Sequence, residues 1–207
     1  MKYIMLNKKR GFITAKSDPR HKTVMELLPT ELYDEVFPVG RLDKDTEGFL
    51  LMTNDGSLAF SLMKPENLVE KTYFFYALGS IDDEKVNQIE NGVKIYDKSD
   101  FLTSRAKFII ENVCTISDIK EYLSDDDEKK SRRRSDLPAF CARLTITEGK
   151  KHQVKRMLRA VGCKVVYLKR ESIAGVTLDP HLKEGEHRYL TDEEVSILKF
   201  NALKSCK

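Results

Sequence analysis

Three short segments of the chain carry the residue types from which covalent chemistry could be built. The first crowds Asp43, Asp45 and Glu47 together, behind Arg41-Leu42 and ahead of Gly48 and the apolar run Phe49 to Thr53. A carboxylate at the mouth of a buried element can be desolvated and given chosen partners, the two conditions that set its acid–base behaviour. The D-x-D-x-E-G spacing also opens a calcium loop, but the ninth and twelfth positions of such a loop fall on Leu51 and Asn54. The last of these should be a bidentate glutamate. Pro38 and Gly40 oppose the entering helix as well. Any one of these acids alone reads as a loop or capping residue; Asp43, beside the apolar run, is the candidate for chemistry.

The second segment is Lys71-Thr72-Tyr73, followed by Phe74, Phe75 and Tyr76. A tyrosine at strand spacing is ordinarily core. A protein that works on nucleic acid, however, uses an aromatic face to hold an unstacked base, and the neighbouring rings can supply core without Tyr73. The third segment runs Glu148-Gly149-Lys150-Lys151-His152-Gln153-Val154-Lys155-Arg156-Met157. Val154, Met157, Leu158 and Val161 recur at helical spacing and predict a helix over about residues 150–161, with Gly162 at its C-terminal cap. Lys150, Lys151, Lys155, Arg156 and Arg159 lie off that stripe. A solvated cationic face is the plain reading, yet cations at a helix N-terminus oppose its dipole. Something anionic is therefore expected to face that turn, either RNA phosphate or a catalytic carboxylate. His152 lacks partners at zinc-ligand spacing, because His21, His181 and His187 are distant in sequence; no metal site is expected.

The elements that must position these segments are legible in part. Residues 2–6 predict a short strand, Val24 to Leu28 a brief helix, and Gly48 to Thr53 a buried strand. Asn54-Asp55-Gly56 turns into a helix that stops before Pro65. Residues 71–79, 140–147 and 165–168 predict further strands, and about 192–198 a helix with Thr191 as N-cap and Glu194 at the capping-box position. Strands and helices interleave irregularly, which favours an α+β fold with a mixed, mostly antiparallel sheet, flanking helices and a central cleft. From Ser124 to Asp136 the chain places ten charges in thirteen positions, Arg132, Arg133 and Arg134 among them, without one apolar residue. Such a block predicts a flexible solvated loop, inserted into a single 1–207 domain of two lobes.

Size and charge bound the function. The chain of 207 residues can bury one substantial core. Lys and Arg exceed Asp and Glu only by 36 to 33, so nucleic-acid binding must rest on local clustering. The four cysteines are widely spaced, the first residues lack a signal-peptide apolar core, and no window has the roughly 18 apolar residues that span a bilayer. A cytoplasmic chain with reduced thiols and no membrane association is expected.

Together, GRLDKDTEGFLLMTNDG, KTY and EGKKHQVKRM, in that order, resemble the signature motifs of the RsuA/RluB/RluE/RluF family of ribosomal-RNA pseudouridine synthases. The likeness extends from YIMLNKKRGF through VVYLKR to YLTDEE. The resemblance implies the pseudouridine synthase catalytic fold, no cofactor, and isomerisation of a uridine in ribosomal RNA. By the family pattern Asp43 is the essential carboxylate and Tyr73 the ring that stacks on the target uracil. Lys155 is the cation paired with the aspartate, and Leu168 the aliphatic residue lining the uracil pocket. Phosphate contacts are expected from Arg41, Lys71, Lys150, Lys151, His152, Gln153, Arg156, Arg159, Lys169 and Arg170. Asp43 could attack C1′, remove the 2′ proton to give a glycal, or add to uracil C6. Many members begin with a small RNA-binding module of about sixty residues by that resemblance; this chain is expected to lack it and to open on the first strand of the catalytic domain. The usual N-K-P is Asn7-Lys8-Lys9 here. The layout and the D-P-R-H-x-T-V segment point to small-subunit rRNA, or an assembly intermediate, acted on by a monomer. Large-subunit rRNA is the alternative, and a non-catalytic RNA-binding assembly factor is a second one.

Overall fold

The computed structural model describes residues 1–96, 100–125, 127, 129 and 136–203. The apolar N-terminal run forms β1 (Tyr3–Lys8), buried from Ile4 onward; a strand covered on both faces loses polar alternation. Two 3₁₀ turns follow, Val24–Leu27 and Thr30–Leu32, then β2 (Phe37–Pro38) and β3 (Glu47–Thr53), the latter buried at every residue. The Asp55 carboxylate accepts from Leu58 N at 3.0 Å and caps α1 (Gly56–Met63), which stops before Pro65. β4 (Lys71–Leu78) alternates buried and half-buried residues. There follow α2 (Asp83–Asn91), β5 (Lys94–Ile95), β6 (Phe101–Leu102), β7 (Lys107–Thr115), β8 (Pro138–Ile146), α3 (Gln153–Ala160), β9 (Lys164–Ile173), β10 (Val176–Thr177), β11 (His187–Tyr189) and α4 (Asp192–Leu203).

The chain divides into two units, residues 1–71 with 169–207 and residues 72–168. In the first, the strand order is β11-β1-β3-β9, with β2 on β3 and β10 on β9. β1 runs antiparallel to β3 from Tyr3↔Thr53 to Lys8↔Gly48, whereas β3 meets β9 in parallel at Glu47↔Lys169 and Gly48↔Arg170. Met5, Phe49, Leu51, Leu62, Ile173 and Leu198 fill the core of this unit. The second unit orders its strands β9-β4-β8-β7 and carries β5–β6 as a separate pair. The rings of Phe75, Phe108 and Phe140 meet there at centroid distances of 5.9, 6.1 and 6.5 Å. Mixed, mostly antiparallel strands with interspersed helices bear out the α+β class. No helix among the described residues is long and apolar enough to cross a membrane.

The parallel contact of β3 with β9 depends on a glycine. A Cβ on Gly48 would stand 2.2 Å from Arg170 O and 2.8 Å from Arg170 N, and its φ is +99°. Both the close approach and the left-handed backbone exclude a side chain. Gly48→Ala is expected to cost roughly 3–5 kcal/mol, combining backbone strain with overpacking. Urea unfolding checks this, and a loss below about 1 kcal/mol would contradict it.

Several expectations need correction. α3 begins at Gln153, not near residue 150, because His152 takes a left-handed conformation with φ 53°. Lys150 and Lys151 therefore precede the helix and do not oppose its dipole. β9 extends well past the expected 165–168. α2 was signalled by Asp82, whose carboxylate accepts from Lys85 N at 2.9 Å. β7 is mostly exposed and lacks apolar alternation, so nothing in its pattern announced it. Within the charged block, Asp127 is buried, accepts from Ser124 Oγ at 2.7 Å and pairs with Lys164. A plain solvated loop is wrong at that position. Positions 126, 128 and 130–135, the three arginines included, lie outside the described residues.

Candidate active site

In the first unit the Asp43 loop is tied down on both flanks. Leu42 is buried, Asp43 half-buried, and Thr46 and Glu47 buried again. Thr46 N donates to Asp43 O at 3.1 Å, closing a tight turn. Before Asp43, the Thr14 hydroxyl accepts from Leu42 N at 3.0 Å and donates to Leu42 O at 2.9 Å. One side chain thus satisfies both main-chain groups of the preceding residue. After Asp43, Gly11 N donates to Lys44 O at 2.8 Å. Lys8 is fully buried, and its ammonium donates to Thr46 O at 2.7 Å, Lys9 O at 3.2 Å and Lys44 O at 3.4 Å. A buried ammonium with its protons on carbonyls is a rigid anchor, since leaving them unpaired would be costly. The backbone on either side of the carboxylate is held by these neighbouring groups, which is what preorganisation requires. Neither anchor was found from sequence as a site residue. A lysine at the end of a strand that opens with four apolar or aromatic residues, Tyr3 to Leu6, was the available signal for Lys8; Thr14 offered none.

Lys71 and Arg170, in the same unit, are buried. Lys71 Nζ donates to Val69 O at 2.9 Å and Arg170 Nε to Phe49 O at 2.8 Å. Burial first, then the neighbouring Arg170 charge, push the Lys71 ammonium down to about 8. These two side chains face inward and hold backbone, which corrects their expected place among the phosphate contacts. Arg41 is exposed and Lys169 half-buried.

In the second unit, Tyr73 shares one face of β4 with Phe75 and Ala77, which are 0% exposed, whereas Tyr73 retains 8%. Phe74 and Tyr76 lie on the opposite face beside Tyr167, so of the neighbouring rings only Phe75 serves the core on the side of Tyr73. Leu168 is buried on β9. On α3, Val154, Met157, Leu158 and Val161 form the buried stripe, Lys155 is half-buried and Arg159 exposed. The anion facing the start of this helix comes from the chain itself. Glu148 pairs with Lys150 at 3.2 Å and accepts from Gln153 Nε2 at 3.2 Å, while Gln153 Oε1 accepts from Lys150 N at 3.0 Å. Lys150 lies 3.7 Å and Arg156 5.1 Å from the Phe101 ring centroid. Gln153 is buried in this network, another correction to the phosphate set; Lys150, Lys151 and His152 remain exposed. Asp43 thus belongs to the first unit, and Tyr73, Lys155 and Leu168 to the second.

Comparison with known proteins follows the same residues. The sequence pattern of the RNA pseudouridylate synthase family matches residues 2–160. An uncharacterised RNA pseudouridine synthase of Bacillus subtilis, YtzG, is 45% identical over 95% of this chain and 72% of its own length. Ribosomal small subunit pseudouridine synthase A of Escherichia coli is 37% identical over 94% of this chain and 73% of its own. A crystal structure of a pseudouridylate synthase superposes with a TM-score of 0.77 at 32% identity, over 95% of this chain and 73% of that one.

Proposed function

The chain belongs to the RNA pseudouridylate synthase family, in its RsuA-type branch, and from that premise we propose that it isomerises one uridine of small-subunit ribosomal RNA to pseudouridine. The observation that carries the reading is the Asp43 loop, clamped by Thr14 on one side and by Lys8 and Gly11 on the other, in a chain alike to small-subunit synthases along nearly its whole length.

The target uridine is flipped from the RNA at a cost of a few kcal/mol and its uracil rests on Tyr73, with Leu168 along the pocket wall. Asp43 is the reacting carboxylate, and by the family pattern Lys155 is the cation that serves it. The N1–C1′ bond breaks, the base turns, and a C5–C1′ bond forms; C5 loses its hydrogen as a proton and N1 gains one. The change is redox-neutral and needs no group transfer from outside. Arg41, Lys150, Lys151, His152, Arg156, Arg159 and Lys169 hold phosphates, which fixes register without reading sequence. The protein acts as a cytoplasmic monomer on the rRNA or an assembly intermediate.

Deletion of the gene, followed by carbodiimide primer extension across both rRNAs, tests this. One small-subunit position is expected to lose its pseudouridine and regain it with the wild-type gene. Loss in the large-subunit rRNA would move the substrate, and loss in neither would overturn the reading in favour of a non-catalytic binder.

A further inference from the structure

The turn that carries Asp43 also carries a buried polar atom that the folded chain does not use. Thr46 is 1% exposed, and both of its main-chain groups are engaged. Its N donates to Asp43 O at 3.1 Å, and its O accepts from the Lys8 ammonium at 2.7 Å. Its hydroxyl, buried with them, has no hydrogen-bond partner among the described residues. Leaving such a group unpaired is costly, and valine, of nearly the same shape, would remove the cost. Buried polar groups are paired as a rule, so an exception inside a reacting loop calls for a reason. Thr14, on the other flank of the loop, shows the ordinary case: its hydroxyl donates to Leu42 O and accepts from Leu42 N. The Thr46 hydroxyl differs in lying on the same turn as the carboxylate. A turn closed by a bond from its fourth amide to its first carbonyl holds the outer two Cα atoms within about 7 Å, a span that a threonine and an aspartate side chain bridge between them. With its main chain locked, Thr46 aims its hydroxyl by rotation about χ1 alone.

We propose that Thr46 is a positioning residue for the isomerisation, its hydroxyl donating to the Asp43 carboxylate once that group has engaged the flipped uridine. In the free protein the donor stands unpaired; in the reacting complex it meets negative charge on the carboxylate and holds that group on its target. An interaction made only as the reaction proceeds lowers the barrier without tightening substrate binding. Burial matters to this role, because water does not compete for a donor that solvent cannot reach. The proposal rests on the RNA-modifying reading above and adds a residue to it.

Two variants of the full chain test this, with rRNA transcripts as substrate. Thr46→Val is expected to lower kcat roughly 10- to 100-fold with KM within about 2-fold of wild type. Its urea midpoint should equal or exceed that of the wild type, because an unpaired buried hydroxyl is replaced by a methyl group. Thr46→Ser keeps the hydroxyl and should hold kcat within about 3-fold of wild type. A threonine that merely supports the fold gives the opposite pattern, a valine variant that unfolds at lower urea. That lowered midpoint, or a kcat loss shared equally by Thr46→Ser, would overturn the assignment. Full turnover in Thr46→Val beside an active wild type would overturn the hydroxyl's role and leave the proposed activity standing. A wild type inactive on transcripts of both rRNAs would overturn the activity and the role together.

Discussion

Asp43→Asn is expected to abolish pseudouridine formation while leaving fold and RNA affinity unchanged. The amide has the shape of the carboxylate, and the backbone of the loop is held by neighbouring groups. Thr46 N bonds the Asp43 carbonyl, Thr14 bonds Leu42, and Lys8 bonds the carbonyls of Lys44 and Thr46. None of these is lost on substitution. What is lost is the negative charge and the nucleophilic or basic oxygen, whichever of C1′, the 2′ proton or C6 it engages. Removal of a principal reacting group costs on the order of 10⁴-fold or more in kcat. Single-turnover assays should show that loss beside an unaltered urea midpoint and transcript affinity. A variant that retains more than about 1% of wild-type activity would remove Asp43 from its role.

The second large effect is expected at Lys155. It is half-buried on α3, whose other face is locked by Val154, Met157 and Leu158. Methionine preserves helix propensity and most of the stem, so Lys155→Met should fold normally. Loss of a cation that serves a catalytic carboxylate is expected to lower kcat about 10²–10³-fold, with Lys155→Arg retaining most activity. If Lys155 acts through Asp43, the double variant Asp43→Asn/Lys155→Met should be no slower than Asp43→Asn alone. Multiplicative losses would show that the ammonium serves the RNA and not the carboxylate.

The parts legible from sequence are those governed by local pattern. Gly48 to Thr53 declared itself a buried strand by being apolar throughout, and the Thr191–Glu194 capping box forms as expected, with Thr191 N to Glu194 Oε2 at 2.8 Å and Glu194 N to Thr191 Oγ1 at 3.2 Å. The apolar stripe of α3 placed Lys155 off the buried face. Harder to see were the features set by long-range contact. Thr14 gains its role from a partner 28 positions away, and Lys8 from a carbonyl 38 positions away, separations that no periodicity encodes. Lys71 and Arg170 were expected at phosphate from the resemblance and from charge clustering, but both are buried; the crowding of β3 against β9 at Gly48 accompanies the burial of Arg170. His152 ended α3 early at its N-terminus by adopting a left-handed backbone uncommon for a non-glycine residue. Asp127 looked like one charge among ten until its pairing with Lys164 was seen.

Tritium release from small-subunit rRNA transcribed with uridine labelled at C5 is the most direct measurement, because the hydrogen at C5 leaves only when carbon is joined to carbon. Wild-type protein should release about one equivalent of the label held at a single site per RNA, and Asp43→Asn none. No release by the wild type, or equal release by both, would contradict a carboxylate-driven isomerisation in this protein.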